Sequence, residues 1–284
     1  MPLTSQTQKK ATCRRAFLIA LVTAAVIFLP FIIWDKGYFF FYGDFNVQQI
    51  PFYKLAHEAV RSGDLFWNWY TDLGANFIGS YSFYLLGSPF FWLTLPFPTS
   101  FVPHLMGPLL ILKHACAAFT GTLYLKRFVK ERDYAVFGGL LYAFSGFAVY
   151  NVFFNHFHEA IVFFPLLLVG LEELIVHNRR GVFALAVAIN AFVNYWFFIG
   201  EVVFVVLYFI VRALSPDWRM NLRRFFWTAF ESVLGLLLSM ALFLPAVLAI
   251  MGNPRTGADE LLSGWNLWLY WHQQLYPAIV SSAF

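Results

Sequence analysis

Long apolar runs separated by short, basic joints leave this chain little choice of fold. Inside a bilayer no water satisfies an exposed backbone N–H or C=O, so such runs must close their hydrogen bonds internally, as helices, or around a closed barrel. The runs are continuous and do not show the roughly 10-residue alternation of a barrel strand. The fold class is therefore an all-α polytopic membrane protein. Composition agrees, with 60% of residues hydrophobic and 12% charged, against about 25% charged in an ordinary soluble domain. A net charge of +4 would suit nucleic acid, but the basic residues sit beside apolar runs, where they set orientation, and no nucleic-acid partner is expected. Cys13 precedes the first run and Cys116 lies within a later one. A disulfide between them would join two membrane depths, so none is expected.

Residues 1–15 form a polar tail carrying Lys9, Lys10, Arg14 and Arg15, followed by an apolar run from Ala16 to Trp34. The run is long enough to span and lacks a small-x-small cleavage pattern, so it reads as an uncleaved first helix with its amino terminus inside. A large outer loop, 35–100, comes next. Within it, 51–62 has helical spacing, with Phe52, Leu55, Ala56 and Ala59 on one side, and suits either an interfacial helix or an ordinary loop helix. The run 83–97, broken by Gly87, Pro89 and Pro96, reads as re-entrant, interfacial or a short span. A full crossing there would put Lys126, Arg127, Lys130 and Arg132 outside, against the cytoplasmic excess of Lys and Arg, so it is left uncrossed. Spans at 101–125, 134–150, 160–176, 182–198, 199–213 and 226–251 then bring the total to about seven and place every basic joint inside. The boundary between the fifth and sixth, around 194–201, is the least sharply marked. A transmembrane domain over 16–251 is thus expected, with 252–284, rich in Trp265, Trp268 and Trp271, lying on the outer surface and continuing into a longer protein.

Several residues have the chemistry for a site. Asp44 follows the first helix on the water side, where it suits a base acting on something held by its tail in lipid; a turn or cap aspartate after Gly43 is the alternative. Lys113 lies well inside a span, at a cost of about 2.5–3.5 kcal/mol unless paired. Its partner is expected to be a lipid phosphate, or an acid such as Glu201, or a helix-end carbonyl. Asp64, Asp72, His156, His158, Glu159 and Glu201 are further outer-face candidates, and His114 reads as packing. His156, His158 and Glu159 do not share one helix face and do not make a metal motif. Glu172, Glu173 and Glu231 are expected to pair with basic joints. No Walker loop, GxGxxG or GxSxG motif is present, which removes the familiar sequence routes to ATP hydrolysis, dinucleotide binding and serine hydrolysis.

The stretches YGDFNVQQIPFY at 42–53 and FWNWYTDLGANFIGSYSFYLLGSPFFWL at 66–93, the helix around Pro165–Leu168 and the Asn194-Tyr195-Trp196 corner resemble the YfhO family of bacterial membrane proteins. That family looks like lipid-dependent sugar transferases with the GT-C helical architecture. The resemblance runs from about residue 16 and implies that the chain is an amino-terminal portion in the bacterial cytoplasmic membrane. It implies transfer of a sugar from a polyprenyl-phosphate donor to a cell-wall or lipoteichoic-acid-type acceptor on the outer face. In that picture Asp44 is the catalytic base, and Lys113, His158, Glu159, Asn194 and Tyr195 bind substrate, Lys113 through the donor phosphate. Membrane lipids are the other expected partners. No cofactor is expected; Phe45 and Asn46 follow Asp44 where many such enzymes carry a second acid, and a divalent metal is the one addition the pattern leaves room for. The rival reading is a non-catalytic transporter or flippase subunit for lipid-linked sugars, or a truncated scaffold. A transporter should show paired broken helices in two related halves, whereas the breaks here concentrate in one outer loop.

Overall fold

The computed structural model describes residues 2–39, 43–71, 73–218 and 220–251, with side chains from residue 11 onward. Asp72, Arg219 and the tryptophan-rich segment 252–284 lie outside the described residues. The elements are α1 (Pro2–Trp34), α2 (Ile50–Ser62), β1 (Trp67–Asn68), β2 (Ala75–Asn76), α3 (Phe77–Tyr81), α4 (Pro89–Trp92), α5 (Val102–Leu125), α6 (Arg132–Ala143), α7 (Gly146–Tyr150), α8 (Phe157–His177), α9 (Val182–Val193), α10 (Tyr195–Ala213) and α11 (Leu222–Met251). Two π-helical turns, Phe45–Gln49 and Ser82–Leu86, lie in the first loop. The only strands among the described residues, β1 and β2, pair antiparallel as a small hairpin.

Packing follows the small residues. Ala16, Ala20 and Ala24 recur every four residues on α1 and are fully buried, against an α5 that answers with Gly107, Ala115 and Ala118. In lipid, where apolar contact alone does not drive association, such close backbone approach is what holds helices together. The opposite face of α1, with Val22, Val26 and Ile33, is exposed and suited to lipid.

Among the described residues, six helical stretches are long and apolar enough to cross a membrane: Ala11–Trp34, Thr99–Leu125, Arg132–Phe153, Phe157–His177, Tyr195–Ala213 and Leu222–Met251. The predicted fifth span, 182–198, is a shorter element. Helix α9 stops at Val193 after 12 residues, about 18 Å of rise against a hydrocarbon core of about 30 Å. Asn194 ends it: its backbone is extended, and its side chain accepts from Phe197 N, 3.3 Å, to start α10. The sixth helix therefore begins at Tyr195 and not at 199. The span predicted at 134–150 is also jointed, α6 giving way at Phe144 to α7, which Ser145 caps.

The half of the bundle opposite the basic joints is consequently recessed, and the first loop fills it. Gly87 abuts the end of α9 so closely that an added Cβ would stand 2.0 Å from Phe192 O; only glycine fits. Within 83–97 the helical pieces are the end of the Ser82–Leu86 turn and the four-residue α4, far too short to cross. Helix α2 packs on the bundle through Tyr53, Ala56, His57 and Ala59, with Lys54, Glu58 and Arg61 outward. The buried face is thus centred on Tyr53 and His57, and Phe52 and Leu55 are only partly covered. His57 pins α2 to the loop beneath it, bonding Thr99 Oγ1 at 2.9 Å and Thr94 O at 3.1 Å.

At the other end of the bundle the basic joints meet. Arg127 and Arg179 pair with Glu173, Arg212 with Glu172 at 2.8 Å, Arg15 with Asp133, and Lys126 donates to Cys13 Sγ. Trp218 and Tyr208 add donors to Glu172. Glu172 and Glu173 thus pair with the basic joints as expected. Glu231 does not: its two oxygens accept Gly181 N at 2.8 Å and Ala184 N at 3.1 Å, so it caps α9, where the helix dipole favours a carboxylate. The Lys and Arg excess predicts that this end faces the cytoplasm. A cysteine introduced by Ser62→Cys should then react with an impermeant maleimide on intact cells. One introduced by Arg180→Cys should react only after permeabilisation; the reverse pattern would invert the orientation.

Candidate functional site

The loop that fills the recess brings polar side chains from four elements to one corner. Asp44 stands at the start of the Phe45–Gln49 turn, half-buried, and its side chain makes no cap bond. The side chain therefore does not serve as a cap, although Gly43, at φ +66°, and Asp44 do lie in a turn. Its charge instead acts on Tyr84, whose hydroxyl is held above the usual phenol range by burial and then by Asp44. Tyr84 in turn lies against His156, ring centroids 5.0 Å apart, and Phe83 closes the same ring at 4.7 Å.

His156 is buried, and burial followed by the Lys113 charge pushes its pKa down to about 3, so it is neutral at physiological pH. Gln49 Nε2 donates to Gln48 Oε1 at 3.0 Å, which turns Gln49 Oε1 toward His156 Nδ1 at 3.1 Å. The Nδ1 therefore carries the proton, and Nε2, which has no hydrogen-bond partner among the described residues, is left as an acceptor.

Directly beneath lies an ion pair. Lys113 Nζ reaches Glu159 Oε1 at 2.9 Å, Asn155 Oδ1 at 2.8 Å and Asn155 O at 2.9 Å. Both charged side chains are within 2% of full burial. Ser88 Oγ donates to the same Glu159 oxygen at 2.5 Å. The Tyr53 hydroxyl lies beside Asn155 and Ser88 without closing a hydrogen bond to either, and burial, then the Glu159 charge, raises its pKa. The three ammonium donors of Lys113 are all used within the chain, so its partner is Glu159. Glu201, named as an alternative, is buried on α10 and makes no ion pair among the described residues. The expectation that Lys113 faces a lipid phosphate does not match this geometry: its ammonium is directed inward, to a counter-ion.

The other predicted substrate residues scatter. His158 is buried with Nε2 on Ala148 O at 3.0 Å and its ring against His114, 5.2 Å away. Glu159 is the counter-ion just described. Asn194 caps α10 and Tyr195 packs on Phe83, centroids 6.1 Å apart, so both border the corner through Phe83. Asp64 is exposed and bonded by Ser62 at 3.0 Å, away from it. His156, His158 and Glu159 turn to Gln49, Ala148 and Lys113 respectively, and among the described residues no three His, Cys, Asp or Glu side chains gather as metal ligands.

Gln49, Tyr53, Tyr84, Ser88 and Asn155 are the members that sequence reasoning passed over. The signal was an intramembrane lysine without a visible acid at its own depth: Lys113 lies 11 residues into α5 but Glu159 only two into α8. Only a recessed start of α8, about 13.5 Å below that of α5, brings them level. Beside the corner, an apolar groove of about 390 Å³ runs between Gly87, Pro89, Phe163, Phe192, Val193 and Leu238. A larger cavity, about 780 Å³, lies at the basic end, where Arg127, Glu172, Glu173 and Arg212 already neutralise one another.

One curated relative, "Uncharacterized protein YfhO" of Bacillus subtilis (strain 168), is 26% identical over 244 residues, 78% of this chain and 28% of its own length. The chain thus spans little more than a quarter of that relative. No solved structure matches. The family described as "Bacterial membrane protein YfhO" matches residues 16–280, a stretch that contains α1 from Ala16 onward, the recess-filling loop, the buried Lys113–Glu159 pair and every helix after them, and the chain belongs to that family.

Proposed function

We propose that this chain forms a membrane-embedded part of an enzyme that moves a sugar from a polyprenyl-phosphate donor to a cell-wall or lipoteichoic-acid-type acceptor on the outer face of the bacterial cytoplasmic membrane. The observation that carries the reading is the position of Asp44. It is a half-buried carboxylate just beyond α1, free of any cap bond, at the mouth of a corner lined by Tyr84, Gln49 and His156. A carboxylate in such a place can take a proton from an acceptor hydroxyl as the sugar is transferred. The apolar groove beside Gly87 and Pro89 offers a lipid-level berth for the prenyl tail, so donor and base would meet at one depth.

Substrate recognition in this reading belongs to the polar corner and its aromatic rims, Tyr84, Phe83 and Tyr195, with Asn194 and the His158 layer behind them. The Lys113–Glu159 pair acts indirectly, by fixing Asn155 and hence the neighbouring His156. The test is reconstitution of the chain in vesicles with a radiolabelled polyprenyl-phosphate N-acetylglucosamine and a teichoic-acid-type acceptor. Time-dependent label in the acceptor, absent from empty vesicles, is the expected result. Movement of the lipid-linked sugar between leaflets with no label in the acceptor would instead favour a flippase.

A further inference from the structure

The loop between α2 and α3 exposes far more aromatic surface than its fold requires. Trp69 is 74% exposed, Tyr70 89% and Leu73 98%, with Phe66 and Trp67 also open. Large exposed apolar groups gathered this closely mark an interaction surface. Nor is the loop slack. Asn68 Oδ1 accepts from Tyr70 N at 2.9 Å and from Thr71 Oγ1 at 3.2 Å, and Thr71 Oγ1 lies 2.7 Å from Tyr81 Oη on α3. Gly74 has φ +109°, and an added Cβ would stand 3.0 Å from both the Trp67 and Trp69 rings. These bonds tie Asn68, Tyr70 and Thr71 to one another and to α3 while the rings stay open.

The fold says where they are presented. The hairpin leads straight into α3, and α3 rests on the last turn of α11: a Cβ at Gly79 would meet Ala249 Cβ at 2.5 Å. Helix α11 is exposed along Phe230, Val233, Leu237, Leu244 and Leu248, an apolar face suited to lipid. The hairpin thus stands at the level where that apolar face ends. Tryptophan and tyrosine are the residues that favour this level, with ring in acyl chain and N–H or O–H among headgroups.

We propose that the β1–β2 hairpin is an interfacial anchor, with Trp69, Tyr70 and Leu73 seated in the headgroup region of the bilayer at the end of the bundle opposite the basic joints. The anchor fixes the depth of α3 and, through it, of the Ser82–Leu86 turn that carries Tyr84. It does not depend on what chemistry the corner performs.

The test places a nitroxide at Leu73→Cys in a Cys13→Ser/Cys116→Ala background, reconstituted in phosphatidylglycerol–phosphatidylethanolamine vesicles. Collision with lipid-soluble oxygen is compared with collision with a water-soluble nickel chelate, and Glu58→Cys, on the outward face of α2, is the aqueous control. The oxygen-to-nickel ratio at 73 should exceed the control several-fold. Adding Trp69→Ser and Tyr70→Ser, which leaves the hairpin's own hydrogen bonds intact, should bring it down toward the control. A ratio equal to that at 58 would overturn the anchor. So would exclusion of both reagents, which would mean that residues 252–284 or another copy of the chain cover the hairpin.

Discussion

Asp44→Asn is expected to lower sugar transfer by about 100-fold or more, the scale of losing a general base, while the protein inserts and purifies as the parent does. Asparagine keeps the shape and hydrogen-bonding reach of aspartate but cannot accept the acceptor's proton. It is also as good as aspartate in turns and caps, and the side chain of Asp44 makes no cap bond to lose. Folding should therefore be indifferent to the change. Transfer by the purified variant, measured alongside its melting temperature, separates the two roles. Near-parental transfer would remove Asp44 from the chemistry and leave His156 Nε2, the other acceptor at the corner, to be tried next.

The second large effect is on stability. Lys113→Gln should destabilise the protein by about 3–5 kcal/mol, because it leaves Glu159 as an uncompensated charge in a site almost closed to solvent. The Ser88 hydroxyl would still donate to that carboxylate, but one neutral donor does not replace a cation. Removing the whole pair, Lys113→Met with Glu159→Leu, should recover much of the loss, since replacing both buried partners by apolar groups of similar size is often neutral. Thermal unfolding in detergent would show a deep drop for the single variant and a partial return for the double. If the single variant instead kept the parental melting temperature while losing affinity for a polyprenyl-phosphate sugar, the ammonium would be a phosphate ligand after all.

The sequence by itself determined the class and most of the layout of this protein. Apolar runs that long admit only internally bonded helices in lipid, and the joints at 126–133, 177–180 and 212–224 told which helix ends belong together, as the shared ion pairs of Arg127, Arg179 and Arg212 bear out. The broken run 83–97, open in sequence terms to a re-entrant, interfacial or short spanning reading, is left uncrossed by the charge of the joint that follows it, and it forms only short helical pieces. What hydropathy could not give was depth. It measures how apolar a stretch is, not where along the membrane normal it starts, so 182–198 looked like one crossing helix although Asn194 ends α9 after 12 residues.

That missing coordinate decided the site. Because α8 starts low, α9 stops short and the first loop drops into the recess, Lys113 meets Glu159 and Asn155, and Gln49 meets His156 across 107 residues of chain. None of these pairs shares a helix or a periodicity, and so no local pattern encodes them. Each exists because burying a charge or an imidazole in a bilayer-facing fold is tolerable only beside a matched partner, and the choice of partner was made by how the helix ends stack.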